Sequence, residues 1–126
     1  MTGSANKAQS LAYRNAVILY LHAAGFPKAD SRPEMKGLTL KEREANDVGD
    51  IVGLPWTLGV RNHQTIDLSG AQDQVKAEAQ RAGSDLFASI QQRRGRSIAE
   101  SYVTMPLSTF LTVLRAVPGI AEQRTA

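Results

Sequence analysis

A carboxylate that follows a glycine stands at the start of a short β-hairpin in the middle of the chain. Residues 46–63 read NDVGDIVGLPWTLGVRNH. This pattern predicts a tight turn over residues 46–49, followed by a strand that starts at Asp50. A reversal at residues 53–55 should then lead to a second strand over residues 56–61. At a strand start, an Asp can present its oxygens to a cleft, where they suit a hard divalent cation such as Mg²⁺. The same Asp-after-Gly pair is also typical of a residue that only caps a turn.

A basic turn forms the second group of residues that could do chemistry. Arg93, Arg94 and Arg96 surround Gly95, so three guanidinium groups are expected to project from one short segment. Such a cluster suits phosphate contacts that are independent of base sequence and weakened by salt. A run of arginines in a turn is equally typical of a solvated loop. We take these three arginines as the candidate DNA-binding residues.

Length and composition indicate one globular domain. The chain is 42% hydrophobic and 21% charged, which is typical of a globular protein. Its 126 residues are enough to form one hydrophobic core and too few to form two. We therefore expect a single domain over residues 1–126, with an ordered core at about 6–117 and flexible termini. The absence of cysteine excludes a disulfide scaffold, and the longest apolar run is too short to span a membrane. These features predict a cytoplasmic protein without membrane contact.

The hydrophobic pattern predicts the elements that must position these residues. A first helix is expected over about residues 6–24, and its second half, residues 16–24, is apolar on nearly every side, so it should pack on a sheet and be covered elsewhere. Residues 26–49 predict a long surface loop with one helical turn. The remaining predicted elements, after the hairpin, are a helix over 69–82, strands over 86–91 and 101–105 around the basic turn, and a last helix after Pro106. A crossover helix between two strands implies a parallel pair, so the fold class is α/β with a central mixed β-sheet of about four strands flanked by helices.

The helix over 69–82 and two aromatic residues carry more detailed expectations. Ser69 and Gln72 match a capping box, and Gly83 should end the helix. The side of this helix that should face the core consists of Leu68, Ala71, Val75, Ala79 and Ala82. Glu78 is expected at the side or on the outside of the helix. Trp56 and Tyr102 are expected in the core rather than as base-stacking platforms, because each has aliphatic neighbours in a strand.

Five short motifs occur in a fixed order along the chain. They are Gly49-Asp50-Ile51, Gly59-Val60-Arg61-Asn62, a helical Gln72 or Gln74, Arg93-Arg94-Gly95 and Val103-Thr104-Met105-Pro106. Together with the element order, they resemble the PD-(D/E)XK nuclease superfamily, and within it the small Holliday junction resolvase-like proteins of actinobacterial phages. The resemblance covers roughly residues 10–115. It implies a restriction-endonuclease-like core, Mg²⁺- or Mn²⁺-dependent cleavage of duplex or branched DNA, a homodimer, and a location in the cytoplasm of a bacterial host cell.

The resemblance also implies roles for individual residues. In that superfamily, an Asp and a Glu on adjacent strands hold the metal ion, and a Lys two positions after the Glu lies near the attacking water. Asp50 matches the Asp and is the implied metal ligand, and Gln74 is the implied helical glutamine. Gly59 stands in the Glu position and Arg61 in the Lys position, so the implied active site is degenerate. Arginine can hold a phosphate oxygen but cannot accept a proton near neutral pH.

Three functions remain open from the sequence. A carboxylate from another element could replace the missing Glu, with Glu78 on the helix over 69–82 and Glu44 in the long loop as candidates, and the protein would then cleave DNA. Alternatively the site is silent and the fold binds DNA structures, or the chain is a protein-interaction module. A nuclease needs a second acidic ligand near Asp50, whereas a DNA-binding protein needs only the arginines.

Overall fold

The computed structural model describes residues 2–63 and 65–119, with side chains from residue 7 onward. The elements within these ranges are α1 (Thr2–Ala23), β1 (Asp30–Ser31), α2 (Leu40–Ala45), β2 (Ile51–Val52), β3 (Thr57–Arg61), α3 (Leu68–Ala82), β4 (Phe87–Gln91), a 3₁₀ turn (Ile98–Glu100), β5 (Tyr102–Thr104) and α4 (Leu107–Arg115). The predicted hairpin, helical turn and crossover helix are all present.

The described strands form one mixed sheet in the order β1-β2-β3-β4-β5. The pairs β1–β2, β2–β3 and β4–β5 are antiparallel, whereas β3 and β4 are parallel and are joined by α3. The α/β class and the mixed sheet are therefore confirmed. The expected number of about four strands is too low by one, because β1 lies inside the segment predicted as a loop. A two-residue edge strand is too short to show any alternation of apolar and polar residues.

The strand register places defined residues in rows across the sheet. Gly59 of β3 lies opposite Ser89 of β4, and Arg61 lies opposite Gln91, which in turn lies opposite Tyr102 of β5. Residues that lie directly opposite each other point to the same face of a sheet, and so do residues two apart on one strand. The two rows therefore share one face, which α3 covers.

The other face of the sheet packs against α1 and forms the apolar core. The buried residues of this core are Tyr13, Val17, Ile18, Ala29, Ile51, Leu58, Ala88 and Ile90. Each large aliphatic side chain buried here contributes roughly 1.5–3 kcal/mol. The expectation that α1 is covered on nearly all sides is wrong, because Leu19 is 66% exposed and Tyr20 is 49% exposed. This helix is covered on one side only.

Helix α3 begins and ends at residues with clear backbone reasons. Asp67 is the N-cap, and its Oδ1 accepts a hydrogen bond from the Gly70 N–H at 2.9 Å. The predicted capping box of Ser69 and Gln72 is wrong, since Asp67, directly before Leu68, caps the helix two residues earlier. Gly83 ends the helix in the left-handed conformation, with φ of 69°, as predicted.

The inner face of α3 differs from the predicted stripe. Val75 and Ala79 are buried as expected, but Glu78 is also buried, with 2% of its surface exposed. Leu68 is 54% exposed, and Ala82 is exposed too, so both ends of the stripe are wrong. The buried positions cluster in the middle of the helix, where it crosses β3 and β4.

The reversal between β2 and β3 depends on a glycine. Gly53 has a φ of +91°, and a Cβ at this position would lie 1.9 Å from the Lys28 carbonyl oxygen. Any side chain would therefore collide with the backbone that precedes β1. The absence of a side chain at Gly53 lets the hairpin approach this backbone closely.

Candidate active site and nucleic-acid interface

Asp50 joins β2 to β3 through both its backbone and its side chain. Its N–H donates to the Leu58 carbonyl at 2.8 Å, and its Oδ2 accepts from the Val60 N–H at 2.7 Å. The other carboxylate oxygen, Oδ1, lies 3.8 Å from Arg32 Nη1, and 27% of the side chain is exposed. Asp50 is thus held in a fixed orientation, with Oδ2 bonded to β3 and Oδ1 facing the Arg32 guanidinium.

Gly59 lies next to a carboxyl group that comes from α3. A Cβ built on Gly59 would lie 3.5 Å from Val75 Cγ2 and 3.7 Å from Glu78 Oε1. The Glu78 carboxyl therefore reaches the space directly beside the β3 backbone. Of the two carboxylates expected to replace a strand Glu, Glu78 is the one that the structure brings to Gly59.

A third acidic residue, Asp47, completes what we call the carboxylate cluster (Asp47, Asp50 and Glu78). Asp47 Oδ1 accepts from Arg32 Nη1 at 2.8 Å, and its backbone carbonyl accepts from Arg81 Nη1 at 3.0 Å. The sequence reasoning missed Asp47, Arg32 and Arg81. Asp47 could have been found, because it lies three residues before Asp50 in the same turn, whereas Arg32 reaches the cluster only through the β1–β2 pairing.

The electrostatics of the cluster keep Glu78 protonated near neutral pH. Burial is the largest cause that raises the pKa of Glu78, and together with a hydrogen bond to Asp47 and the charges of Asp47 and Asp50 it brings this pKa to about 8, while the charge of Arg32 acts in the opposite direction. A protonated Glu78 carboxyl can donate its hydrogen to the Asp47 carboxylate. The cluster thus has more acidic groups than Arg32 alone can neutralise.

Arg61 and Gln74 form a pair at the end of β3. The Arg61 Nη2 donates to Gln74 Oε1 of α3. Arg61 lies two residues after Gly59 on the same face of the sheet, and it lines a cavity of about 400 Å³ together with His63, Asp67 and Gln91, among others. The structure therefore brings Arg61 and Gln74 together, two residues beyond Gly59 along β3.

The three arginines predicted to bind DNA line one groove of about 410 Å³. This basic groove is formed by His63, Ile66, Gln92, Arg93, Arg94, Arg96 and Tyr102. The Arg94 Nη2 donates to the Asn62 carbonyl at 2.9 Å, and Arg96 Nη1 lies 3.8 Å from Glu100 Oε1. Because His63 also lines the cavity at Arg61, the two depressions adjoin each other.

Tyr102 belongs to this groove, so its expected position in the core is wrong. The ring is 49% exposed, and the Arg93 guanidinium carbon lies 4.5 Å from the ring centre. Tyr102 is exposed because β5 is at the edge of the sheet. Trp56, by contrast, is partly buried against the core as expected.

Glu44 lies apart from these residues. It is on α2, is exposed, and has no side-chain contact with Asp50 or Glu78 among the described hydrogen bonds and ion pairs. In the described part of the chain, no three His, Asp or Glu side chains are arranged to hold one metal ion. Oxygens of Asp47 and Asp50 instead face the Arg32 guanidinium.

Comparisons of the chain with protein-family models, with curated proteins and with solved structures returned no match. Among the described residues, no helix has the length and apolar character needed to cross a membrane.

Proposed function

We propose that this protein is a DNA-binding endonuclease with a restriction-endonuclease-like core, in which Asp50 and Glu78 hold a divalent metal ion. The observation that carries this proposal is the position of Glu78, whose carboxyl reaches from α3 into the space beside Gly59. Gly59 stands where the resembled nucleases have their Glu. A carboxyl from the helix would thus supply the ligand that the strand lacks.

The topology supports the proposal. Three antiparallel strands are followed by a crossover helix and a strand parallel to the third, and α1 precedes them. Asp50 directly precedes β2 and Gly59 lies on the adjacent strand β3, with Arg61 two positions beyond Gly59 on the same face. The resemblance implies this arrangement for the Asp, Glu and Lys positions.

The residues of the cluster fit a hard divalent cation in their chemistry. Mg²⁺ and Mn²⁺ prefer oxygen ligands, and the groups that would hold the ion are Asp50 Oδ1 and the Glu78 carboxyl, because Asp50 Oδ2 already accepts from Val60. Such an ion, when bound, lowers the pKa of a coordinated water and offsets the charge of a phosphodiester. Glu78 must lose its proton to become a ligand, so we expect metal affinity to increase as the pH rises toward 8.

The remaining residues of the site act on the DNA rather than on the ion. Arg61 stays protonated, so it would hold a phosphate oxygen and could not act as a base. Its bond to Gln74 fixes one Nη and leaves other N–H donors free to contact a phosphate. The three arginines of the basic groove would hold the DNA backbone further along.

A second candidate function is DNA binding without cleavage. Arg32 favours it, because its guanidinium already contacts Asp47 at 2.8 Å and lies 3.8 Å from Asp50. Together with Arg81, whose Nη1 lies 3.9 Å from Asp47 Oδ2, Arg32 can offset the charges of Asp47 and Asp50 without a metal ion. On the other hand, Arg32 Nε is buried without a hydrogen-bond partner among the described atoms, so the guanidinium is incompletely satisfied there.

A homodimer is part of the proposal. Apolar side chains are exposed along the sheet edge and the adjoining helix, namely Val103 of β5 and Leu107, Phe110 and Leu111 of α4. Contact between two identical edges would cover this surface in a twofold arrangement. Sedimentation equilibrium at micromolar concentration should give twice the monomer mass of 13.6 kDa. A monomer mass under these conditions would contradict the dimer.

The test of the enzyme is incubation with a labelled four-way junction and with a linear duplex, with and without Mg²⁺ or Mn²⁺. We expect metal-dependent cleavage by the parent, and loss of at least about 100-fold in rate for Glu78→Gln and for Asp50→Asn. Glu44→Gln is the matched control, since it removes an exposed carboxylate outside the cluster, and its rate should equal that of the parent.

The outcomes separate the two candidate functions. Binding of DNA without cleavage in either metal would favour the second function and refute the enzyme. Cleavage that survives both Asp50→Asn and Glu78→Gln would place the active site elsewhere. Cleavage that is lost with Glu44→Gln and retained with Glu78→Gln would show that Glu44, and not Glu78, is the carboxylate that the reaction requires.

A further inference from the structure

We propose that Tyr102 and Arg93 form a stacking platform for an unpaired DNA base, so that the DNA bound in the basic groove is single-stranded at this point. This inference rests on the proposed DNA-binding function and specifies the class of DNA that the groove accepts. It assigns a role to Tyr102, which lies outside the carboxylate cluster.

The first observation is the environment of the Tyr102 ring. Half of its surface is exposed (49%), and it lies in a groove whose lining includes Arg93, Arg94 and Arg96. Single exposed aromatic residues are common on protein surfaces. An aromatic ring surrounded by guanidinium groups is different, because it combines a flat apolar face with charges that bind phosphates.

The second observation is the stacked geometry of Arg93. Its guanidinium carbon lies 4.5 Å from the ring centre of Tyr102, within the distance at which a cation and an aromatic face attract each other. A planar guanidinium that lies over an aromatic ring forms a stack that a base can continue. The Arg93 and Tyr102 pair thus offers a short stack of two flat groups at the rim of the sheet.

The third observation is where this platform lies relative to the carboxylate cluster. The register Arg61–Gln91–Tyr102 puts Tyr102 on the same face of the sheet as Gly59 and Glu78. Two strand spacings and two residues along a strand separate Tyr102 from Gly59, which amounts to roughly 12 Å. A DNA strand held at Tyr102 would therefore continue past Arg61 toward the cluster.

An unpaired base is required by the physics of stacking. In a duplex, both faces of each base are covered by its neighbours, so an aromatic side chain at the surface of the groove cannot contact them without unstacking the helix. A single strand exposes its bases at no such cost, and each base stacked on an aromatic side chain contributes roughly 1–3 kcal/mol. The platform should therefore favour single strands over duplexes of the same length.

The test measures binding to a fluorescein-labelled 20-nucleotide single strand and to a duplex of the same length, by fluorescence anisotropy in EDTA. The parent should prefer the single strand. Tyr102→Ala should weaken single-strand binding by roughly 5- to 150-fold, which corresponds to the loss of one stacked base, and change duplex binding by less than about twofold. Tyr102→Phe should retain the parent affinity, because it keeps the ring.

Two controls make the test specific. Tyr20→Ala removes a tyrosine of the same exposed fraction, 49%, from α1, and should leave both affinities unchanged. Arg93→Lys keeps the charge but loses the planar group, so it should weaken single-strand binding and preserve duplex binding.

A single strand that contains 2-aminopurine reports stacking directly, since its fluorescence should fall on binding to the parent and not on binding to the Tyr102→Ala variant.

The outcomes distinguish this inference from the proposed function. Equal affinity of the parent for single strand and duplex, or equal weakening of both by Tyr102→Ala, would overturn the platform and leave DNA binding intact. Absence of binding to either DNA by the parent would overturn the proposed function itself, and the platform with it. Unchanged 2-aminopurine fluorescence on binding would overturn the stacking, whether or not any variant folds.

Discussion

Replacement of Glu78 by Gln should remove a pH-dependent loss of stability that we expect of the parent protein above pH 5. Glu78 is buried beside Asp47 and Asp50, and only Arg32 opposes their effect. Folding therefore favours the protonated form of this carboxyl. A glutamine of nearly the same shape carries no charge, and its amide can donate to Asp47 as the protonated acid does.

The sign and size of the effect follow from the two pKa values. The ordinary pKa of a glutamate side chain, which applies in the unfolded chain, is 4.5, and the pKa of Glu78 in the folded protein is about 8. Between these two pH values the folded state holds a proton that the unfolded state has lost. The stabilisation is fully present below pH 4.5 and is lost as the pH rises through 8. At about 1.4 kcal/mol per pKa unit, the parent should lose roughly 3 kcal/mol between pH 5 and pH 8.

The assay is urea denaturation of both proteins in EDTA from pH 5 to pH 9. Trp56, the single tryptophan, packs against the core and reports unfolding by its fluorescence. The free energy of unfolding of Glu78→Gln should stay nearly constant over this range, and above pH 8 it should exceed that of the parent. A parent stability that is flat or rises between pH 5 and pH 8, or an equal slope in the variant, would refute the reasoning.

Three further predictions concern the cluster and the groove. Alanine at all three groove arginines should weaken DNA binding alike for all sequences and reduce the slope of log K against log salt by about 3, as measured by anisotropy at several salt concentrations. Gly59→Glu alone should destabilise the protein by about 1–3 kcal/mol in urea titrations, because it adds a carboxyl beside Glu78. The double variant Gly59→Glu, Glu78→Gln should recover this stability and retain metal-dependent cleavage. Arg32→Gln should cost about 1–2 kcal/mol of stability in EDTA and strengthen Mg²⁺ binding severalfold by calorimetry, because it removes the competing cation.

The sequence predicted those parts of the fold that depend on local backbone rules. The hairpin, the end of α3 at Gly83 and the strands around the basic turn all follow from Gly and Pro positions and from short apolar runs. Gly53, for example, stands at a reversal where no other residue fits. The position of Asp50, directly before β2 and beside β3, follows from the same hairpin.

The burial of Glu78 was not predicted, because the helical pattern alone assigns a polar residue to the outside. A signal was nevertheless present in the strands that α3 covers. In β3 and β4 the apolar residues Leu58 and Ile90 alternate with small or polar residues such as Gly59 and Ser89. A helix that packs on the polar side of such a pair has room and hydrogen-bond partners for a carboxyl group.

Contacts between distant segments explain the other differences. Arg32 reaches Asp47 and Asp50 only because the two-residue strand β1 pairs with β2, and no periodic pattern in the sequence marks so short a strand. Tyr102 was expected in the core because its neighbours are aliphatic. Whether a strand lies at the edge of a sheet is decided by strand order, which is set by the whole topology and not by local sequence.

The two faces of the sheet divide stability from chemistry. On the α1 face, Leu58 and Ile90 are buried in the apolar core. On the α3 face, the buried side chains include Glu78, Ser89 and Gln91, and Gln91 Nε2 donates to the His63 carbonyl at 2.9 Å. Buried polar groups of this kind are stable only when their hydrogen bonds are made, so they contribute less to stability than apolar residues of the same size would. Because the apolar face supplies the core, charges on the α3 face can be exchanged for neutral residues without loss of the fold, and the variants that test the chemistry should remain folded.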